Sequence, residues 1–137
     1  MTTSHLQCAC GAVELRASGE PQVQFFCHCR DCRAMNGGAY AAVAIFPSSA
    51  VTLTRGETRG FTLRVLDRHH CRRCGAPVLA NVSADEIGVG ALLLPKELFK
   101  PAFHIHCREA VAPIHDDLPH YAALPLVFGG SDERVAW

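Results

Sequence analysis

Eight cysteines, most of them in short clusters, constrain this chain more than any other feature of its sequence. Thiols spaced this closely form disulfides, remain free or serve as ligands for a metal ion. How these thiols are used therefore decides both the fold and the chemistry. The clusters are Cys8 with Cys10, then Cys27, Cys29 and Cys32, then Cys71 with Cys74, and Cys107 stands alone.

Two of the clusters end in glycine, as Cys8-Ala9-Cys10-Gly11 and Cys71-Arg72-Arg73-Cys74-Gly75. Glycine tolerates a positive φ, which lets backbone N–H groups turn toward the sulfurs in a tight knuckle. Zinc prefers tetrahedral thiolate coordination, and two such pairs supply four ligands to one ion. The alternatives are a disulfide or unreactive thiols. We predict a structural zinc site on the four cysteines Cys8, Cys10, Cys71 and Cys74.

The middle cluster, Cys27-His28-Cys29-Arg30-Asp31-Cys32-Arg33, has three thiols and no following glycine. Its arginines favour thiolates, because a neighbouring positive charge lowers a thiol pKa. Three protein ligands with a vacant fourth position are typical of a catalytic zinc. We therefore predict a second, catalytic zinc on Cys27, Cys29 and Cys32, which makes two zinc ions per chain. In the alternatives, His28 or Cys107 closes a second structural site, or the thiols stay metal-free and redox-sensitive.

Further histidines lie close to these motifs. His69 and His70 precede the last knuckle, and neighbours on a strand point to opposite faces, so at most one of them can share a metal site. His104 and His106 are two positions apart, which places both on one side of a strand. Their predicted role is either structural hydrogen bonding or a place in a pocket that faces the open zinc.

Short segments with alternating apolar residues, separated by Gly, Pro and Ser, predict an all-β fold. Helical signals are weak, and Pro95 opens at most one turn. From Pro113 onward, several Asp and Pro residues and a polar end predict a tail that packs only in part. The predicted strands are Ala12–Arg16, Gln22–Phe26, Tyr40–Phe46, Val51–Thr54, Phe61–Val65, Val78–Ala80, Ile87–Leu94 and Ala102–Ile105.

The chain length of 137 residues predicts one domain over residues 1–137, with a core at about 5–121 and a tail at 122–137. Thirteen basic residues balance thirteen acidic ones, which argues against a protein that binds a nucleic-acid backbone. The first ten residues lack a basic stretch followed by an apolar run, so we expect a reducing cytoplasm. The longest apolar stretch, Gly37–Phe46, is too short to cross a bilayer.

The order and spacing of these motifs resemble the glutathione-dependent formaldehyde-activating enzyme family, the GFA or CENP-V-like domain. The resemblance covers about residues 5–121. The family pattern is CxCG, CHCxxCR, CxxCG and PxFHI, here Cys8–Gly11, Cys27–Arg33, Cys71–Gly75 and Pro101–Ile105, followed by Leu118-Pro119, which resembles the closing segment of the family.

This resemblance implies a Mss4-like (β-tent) fold of short antiparallel sheets around zinc knuckles. It implies the same ligand sets, a structural zinc on Cys8, Cys10, Cys71 and Cys74 and a catalytic zinc on Cys27, Cys29 and Cys32. The implied activity joins glutathione to formaldehyde to give S-(hydroxymethyl)glutathione, as a carbon–sulfur lyase, with a small thiol as partner and neither nucleic acid nor membrane.

Two other function classes stay open. One is a zinc-ribbon-like binding module that uses a basic face, and the other is a thiol redox or metal-buffering protein without catalytic activity. The basic face comprises Arg30, Arg33, Arg72 and Arg73.

Overall fold

The computed structural model describes residues 2–137, which form ten β-strands and one α-helix, α1 (Arg30–Asn36). This confirms the predicted all-β, Mss4-like fold. The strands are β1 (Thr3–Gln7), β2 (Glu14–Ser18), β3 (Val23–Cys27), β4 (Ala41–Pro47), β5 (Val51–Arg55), β6 (Thr58–Leu63), β7 (Leu66–Cys71), β8 (Pro77–Asn81), β9 (Glu86–Gly90) and β10 (Phe103–Ile105). Short 3-10 turns span Ser48–Ala50, Ala91–Leu93, Lys96–Leu98, Cys107–Glu109 and Leu126–Phe128.

The described residues divide into two compact units. The first contains the chain up to Val23 together with Val43–Phe99. The second contains Gln24–Ala42 together with Lys100–Trp137. The four knuckle cysteines all belong to the first unit, and the middle cysteine cluster belongs to the second.

The first unit contains two groups of antiparallel strands. In one, β2 lies between β1 and β5, with Leu15 opposite both Leu6 and Leu53. The other has the order β4-β9-β8-β7-β6. Alternate residues of β1 and β2 are buried, which is the period-two pattern of a half-buried strand. The largest buried apolar side chains of this unit include Phe46 and Val89.

The second unit is built on a parallel pair, in which Cys27 at the end of β3 lies opposite Ile105 of β10. Below this pair, Phe25 stacks on Phe103 with 5.9 Å between ring centroids, and both rings pack edge-on against Phe128. Burying a phenylalanine side chain contributes roughly 1.5–3 kcal/mol. This apolar base fixes the strand end from which the middle cysteine cluster begins.

Several elements differ from the sequence prediction. β1 and β7 were not predicted, since polar and charged residues dominate both segments. The helix α1 was also missed, because the residue that caps its N-terminus is Cys29 rather than Ser, Thr, Asp or Asn. The predicted single turn after Pro95 is present as a 3-10 turn, whereas the strand predicted to reach Leu94 ends at Gly90.

The tail packs only in part, as predicted, and Leu126 and Val127 are among its exposed side chains. The backbone N–H of Ala122 donates to Glu133 at 2.7 Å, and that of Val135 donates to His120 at 3.0 Å. Ala122 and His120 are buried. The segment after Pro113 therefore folds back on itself and contributes to the interior of the second unit. No helix in the described part of the chain combines the length and the hydropathy needed to span a membrane.

Candidate metal centres

The four knuckle cysteines converge in the first unit. The sulfurs of Cys8, Cys10, Cys71 and Cys74 lie within 4.8 Å of one another. The Sγ–Sγ distance is 3.6 Å between Cys8 and Cys10 and 3.8 Å between Cys10 and Cys71. A tetrahedral zinc with Zn–S bonds of about 2.3 Å places its sulfur ligands about 3.8 Å apart. The four donors therefore fit a zinc ion in type, number and spacing.

Glycine closes each knuckle, as predicted. Gly11 and Gly75 both adopt a φ of 77°, in the left-handed region. The N–H of Gly11 donates to the carbonyl of Cys8 at 3.0 Å, and the N–H of Gly75 donates to that of Cys71 at 2.9 Å. An L-residue with a side chain is disfavoured at this φ, so the conformation explains why each motif ends in glycine.

Backbone N–H groups also point at the two buried sulfurs. The Sγ of Cys8 accepts a hydrogen bond from Val13 at 3.3 Å, and the Sγ of Cys71 accepts from Arg73 and Cys74, each at 3.4 Å. Burial by itself raises the pKa of Cys8, but the N–H of Val13 and the neighbouring thiols outweigh it and lower that pKa to about 6. Cys8 is therefore held as the thiolate, which is the form that binds metal, whereas the neighbouring thiols raise the pKa of Cys10 to about 11.

The two histidines before the second knuckle make other contacts. His70 Nδ1 lies 3.0 Å from the carbonyl oxygen of Gly75, and His69 Nε2 lies 2.9 Å from Asp67. Neither imidazole belongs to a metal-ligand cluster in the described residues. The two histidines therefore contact residues beside the cysteine ligands and are not ligands themselves.

The middle cluster forms where β3 passes into α1. Cys27 ends β3, and the Sγ of Cys29 caps the helix by accepting the N–H of Cys32 at 3.2 Å. The first turn of α1 brings Cys32 back, so that the three sulfurs lie within 4.8 Å of one another. Over residues 2–137 no fourth Cys, His, Asp or Glu joins this group, and neither His28 nor Cys107 belongs to it.

The three sulfurs hold negative charge unequally. Hydrogen bonds from Cys27 and Cys32 lower the pKa of Cys29 well below its usual range, and the charge of His106 adds to this. The pKa of Cys27 is raised by its hydrogen bonds to Cys29 and Cys32 and by burial. The thiolate is the form of cysteine that binds a metal ion.

His28 connects this cluster to a buried chain of hydrogen bonds. His28 Nε2 lies 2.9 Å from His104 Nδ1, His104 Nε2 lies 2.7 Å from Asp116, and His120 Nε2 lies 2.8 Å from the other carboxylate oxygen. A carboxylate only accepts, so both Nε2 atoms donate to Asp116. A neutral His104 then accepts at Nδ1, and His28 donates to it from Nε2.

The charges in this chain agree with that order of donors. Burial lowers the pKa of His28 to about 4 and also lowers the pKa of His104. Burial raises the pKa of Asp116, but hydrogen bonds from His104, the N–H of Leu118 and His120 outweigh it and lower that pKa. Both buried imidazoles are therefore neutral near pH 7, and the carboxylate is ionised.

The group formed by His104, Asp116 and His120 also has the composition of a metal site. Zinc bonds to nitrogen and oxygen of about 2.0–2.1 Å place tetrahedral ligands about 3.3 Å apart. The N···O distances of 2.7 and 2.8 Å are shorter, and each imidazole contacts a different oxygen of Asp116. The group is therefore a set of direct hydrogen bonds rather than a coordination sphere.

Aromatic rings enclose the chain. Trp137 packs edge-on against His28 at 5.4 Å between ring centroids and lies 5.0 Å from His120. Tyr40 lies 5.2 Å from the ring of His28. His28 and His104 are each 1% exposed, so water is excluded from the bonds between them.

Asp116 and His120 were not predicted as site residues, and the prediction for His104 and His106 is only half correct. His104 has the structural hydrogen-bonding role that was one of its two predicted roles. His106 does not share its side of a strand, because β10 ends at Ile105 and His106 adopts a φ of 54°. Asp116 is 12 positions from His104, and no helical or strand period in the sequence pairs the two.

Comparison with known proteins adds a family match. The sequence model described as "Glutathione-dependent formaldehyde-activating enzyme" matches residues 3–109. The chain is also similar to a crystal structure of a Rhodobacter sphaeroides protein, with 27% sequence identity and a TM-score of 0.50. That similarity covers 73% of this chain and 97% of the other. A search of curated proteins finds no significant match.

Proposed function

This chain belongs to the glutathione-dependent formaldehyde-activating enzyme family, and on that premise we propose that it is a zinc enzyme that joins a small thiol to formaldehyde. The proposed substrate is glutathione, and the product is S-(hydroxymethyl)glutathione. The thiol sulfur forms a bond to the carbonyl carbon, and the sulfur-bound proton ends on the carbonyl oxygen. The reaction is an addition of the carbon–sulfur lyase class and needs neither oxidant nor reductant.

The observation that carries this proposal is the three-sulfur cluster of the second unit, which has no fourth protein ligand in the described chain. Zinc bound by Cys27, Cys29 and Cys32 would supply an open Lewis-acid position for a thiolate or a carbonyl oxygen. Cys27 is buried, whereas Cys29 and Cys32 are partly exposed, so one side of the cluster is accessible to a small molecule.

The four-sulfur cluster supports a different role. Its four donors complete a tetrahedron by themselves, and a closed set of thiolates is typical of structural zinc. We therefore propose two zinc ions per chain, a structural one on Cys8, Cys10, Cys71 and Cys74 and a catalytic one on the middle cluster.

The arginines near the clusters support a small-molecule partner over a nucleic acid. Arg33 donates from Nε to the carbonyl oxygen of His28 at 3.1 Å, and Arg72 pairs with Glu57 at 3.1 Å. Two of the four arginines of the basic face are thus engaged within the chain, whose formal net charge is zero. We propose that the enzyme acts in a reducing cytoplasm, where free thiols persist.

The test measures S-(hydroxymethyl)glutathione by NMR in mixtures of glutathione and formaldehyde, with and without the zinc-loaded protein. We expect equilibration faster than the spontaneous reaction, and Cys29→Ser should abolish the increase. Cys107→Ser is the matched control, since it changes the same atom at a thiol outside both clusters. An unchanged rate in Cys29→Ser would refute the site, and a wild-type protein that binds two zinc ions without accelerating the reaction would favour metal buffering.

A further inference from the structure

The backbone N–H, the backbone carbonyl and the ring of His28 each form a hydrogen bond. Its backbone N–H donates to Ile105 at 3.0 Å, its carbonyl oxygen accepts from Arg33 at 3.1 Å, and its ring donates to His104. His28 lies between Cys27 and Cys29 in the chain, so fixing it fixes the backbone that carries both sulfurs. The contacts of His28 therefore control the geometry of the middle cluster.

Asp116 holds the far end of this arrangement. It accepts one hydrogen bond from His104 and one from His120, and the N–H of Leu118 donates to it at 3.1 Å. Because its two oxygens receive the two rings, Asp116 determines which nitrogen of His104 carries the proton. That choice leaves His104 Nδ1 free to accept from His28.

We propose that Asp116 is a positioning residue for the Cys27, Cys29 and Cys32 centre, acting through His104 and His28. The inference rests on the proposed function only in that these cysteines bind a metal ion. Asp116 touches neither the sulfurs nor, in this proposal, the substrate. It orients the segment Cys27–Cys29 through the two histidines. Mutation of groups that orient metal ligands typically lowers metal affinity or activity by about 10–100-fold.

The anchoring residues belong to the segment from Pro113 onward, which is called the tail here. Asp116, His120 and Trp137 all lie beyond residue 109, where the family match ends. Asp116 is also partly accessible, with its side chain 32% exposed, whereas the rings that it holds are buried. The proposal thus assigns the tail a part in organising the centre, in addition to its packing.

Asp116→Asn tests this directly, because it keeps the shape of the side chain but replaces one acceptor with a donor. The amide oxygen is favoured at the position where Leu118 and His120 both donate, so the new NH2 faces the Nε2–H of His104, and the order of donors from His104 to His28 breaks. Asp117→Asn is the matched control, since it makes the same change at the neighbouring exposed position, which takes no part in these bonds. Zinc affinity of both centres is measured by competition with a chromophoric chelator.

We expect Asp116→Asn to weaken one zinc ion by about 10–100-fold and to leave the four-cysteine centre unchanged. Asp117→Asn should match the wild type. An unchanged affinity at the middle cluster, or an equal loss at both centres, would overturn the proposal. A third zinc ion in the wild type, lost in Asp116→Asn, would do the same, since it would make Asp116 a ligand.

A measurement on the wild type keeps the test informative if the variant does not fold. Long-range nitrogen–proton NMR should show His28 and His104 as neutral rings protonated at Nε2, and a His104 protonated at Nδ1 would contradict the proposal. Turnover separates the two ideas. If the wild type lacks turnover while Asp116→Asn still loosens only the middle centre, the proposed function fails and the positioning role stands. If turnover is present and Asp116→Asn changes neither affinity nor rate, the proposed function stands and the positioning role fails.

Discussion

Opening the four-cysteine centre should cost more stability than opening the middle one, because the two centres close loops of very different length. The sulfurs of Cys10 and Cys71 are in contact across 61 positions of sequence. A cross-link that closes such a loop restricts the unfolded chain by about 4 kcal/mol. The middle centre spans only Cys27 to Cys32, for which the same expression gives about 2 kcal/mol.

The perturbation is a pair of double variants, Cys10→Ser with Cys74→Ser and Cys29→Ser with Cys32→Ser. None of these thiols is fully buried, so the new hydroxyls meet water and the main effect is the lost metal. We expect the first pair to lose at least about 2 kcal/mol more than the second, since its loop term is larger by that amount. Folded proteins typically have a total stability of only about 5–15 kcal/mol, so a loss of about 4 kcal/mol in the first pair is a large part of it.

Urea unfolding followed by circular dichroism measures both losses, and elemental analysis counts the zinc that each variant retains. Each double variant should keep the zinc ion of the other centre. Cys107→Ala serves as the control for removal of a thiol outside the clusters, because Cys107 is buried and a serine hydroxyl there would not meet water. Equal losses in the two double variants, or a larger loss in the middle pair, would refute the loop argument and with it the division into a structural and a catalytic site.

Two further predictions concern a tight turn and acid sensitivity. Gly56→Ala should destabilise the protein by about 1–3 kcal/mol more than Gly37→Ala in urea unfolding, because both have positive φ but only the Cβ at Gly56 meets a backbone atom, the oxygen of Ala12. Equal losses would contradict the steric argument. The titratable groups that contact the ring of His104 are His28, Asp116 and His120. Burial lowers the pKa of His104, so its contribution to stability is present above its ordinary pKa of about 6.5 and is lost as the pH falls below that value. The free energy of unfolding of His104→Gln should therefore fall less steeply than that of the wild type between pH 7.5 and 5.5, by up to about 1.4 kcal/mol per pH unit, and parallel curves would contradict this.

The cysteine motifs were predictable from sequence because their geometry is local. Gly11 and Gly75 each close a knuckle that begins three or four residues earlier, so the need for a positive φ is visible in the motif itself. Most strands were predictable for the same reason, since the alternation that marks them is a property of neighbouring residues. β7 was missed because Arg68 is buried there, and burial of a charged residue leaves no apolar signal.

The middle centre was predictable only in composition. Its three thiols are close together in sequence. However, the helix α1, which brings Cys32 back to the other two, begins within the motif and is capped by a sulfur. The N-cap preferences used to predict helices do not include cysteine, since the usual N-cap acceptor is an oxygen.

Sequence alone thus predicted which cysteines group together and, through the family motifs, the kind of fold that holds them. Tertiary structure decided that His104 meets both His28 and Asp116, and that the tail closes over them. These partners are separated by 76 and 12 positions and follow no helical or strand period. The pairing arises because β10 runs beside β3 and the tail returns along β10, and such juxtapositions depend on the folding of the whole unit rather than on local pattern.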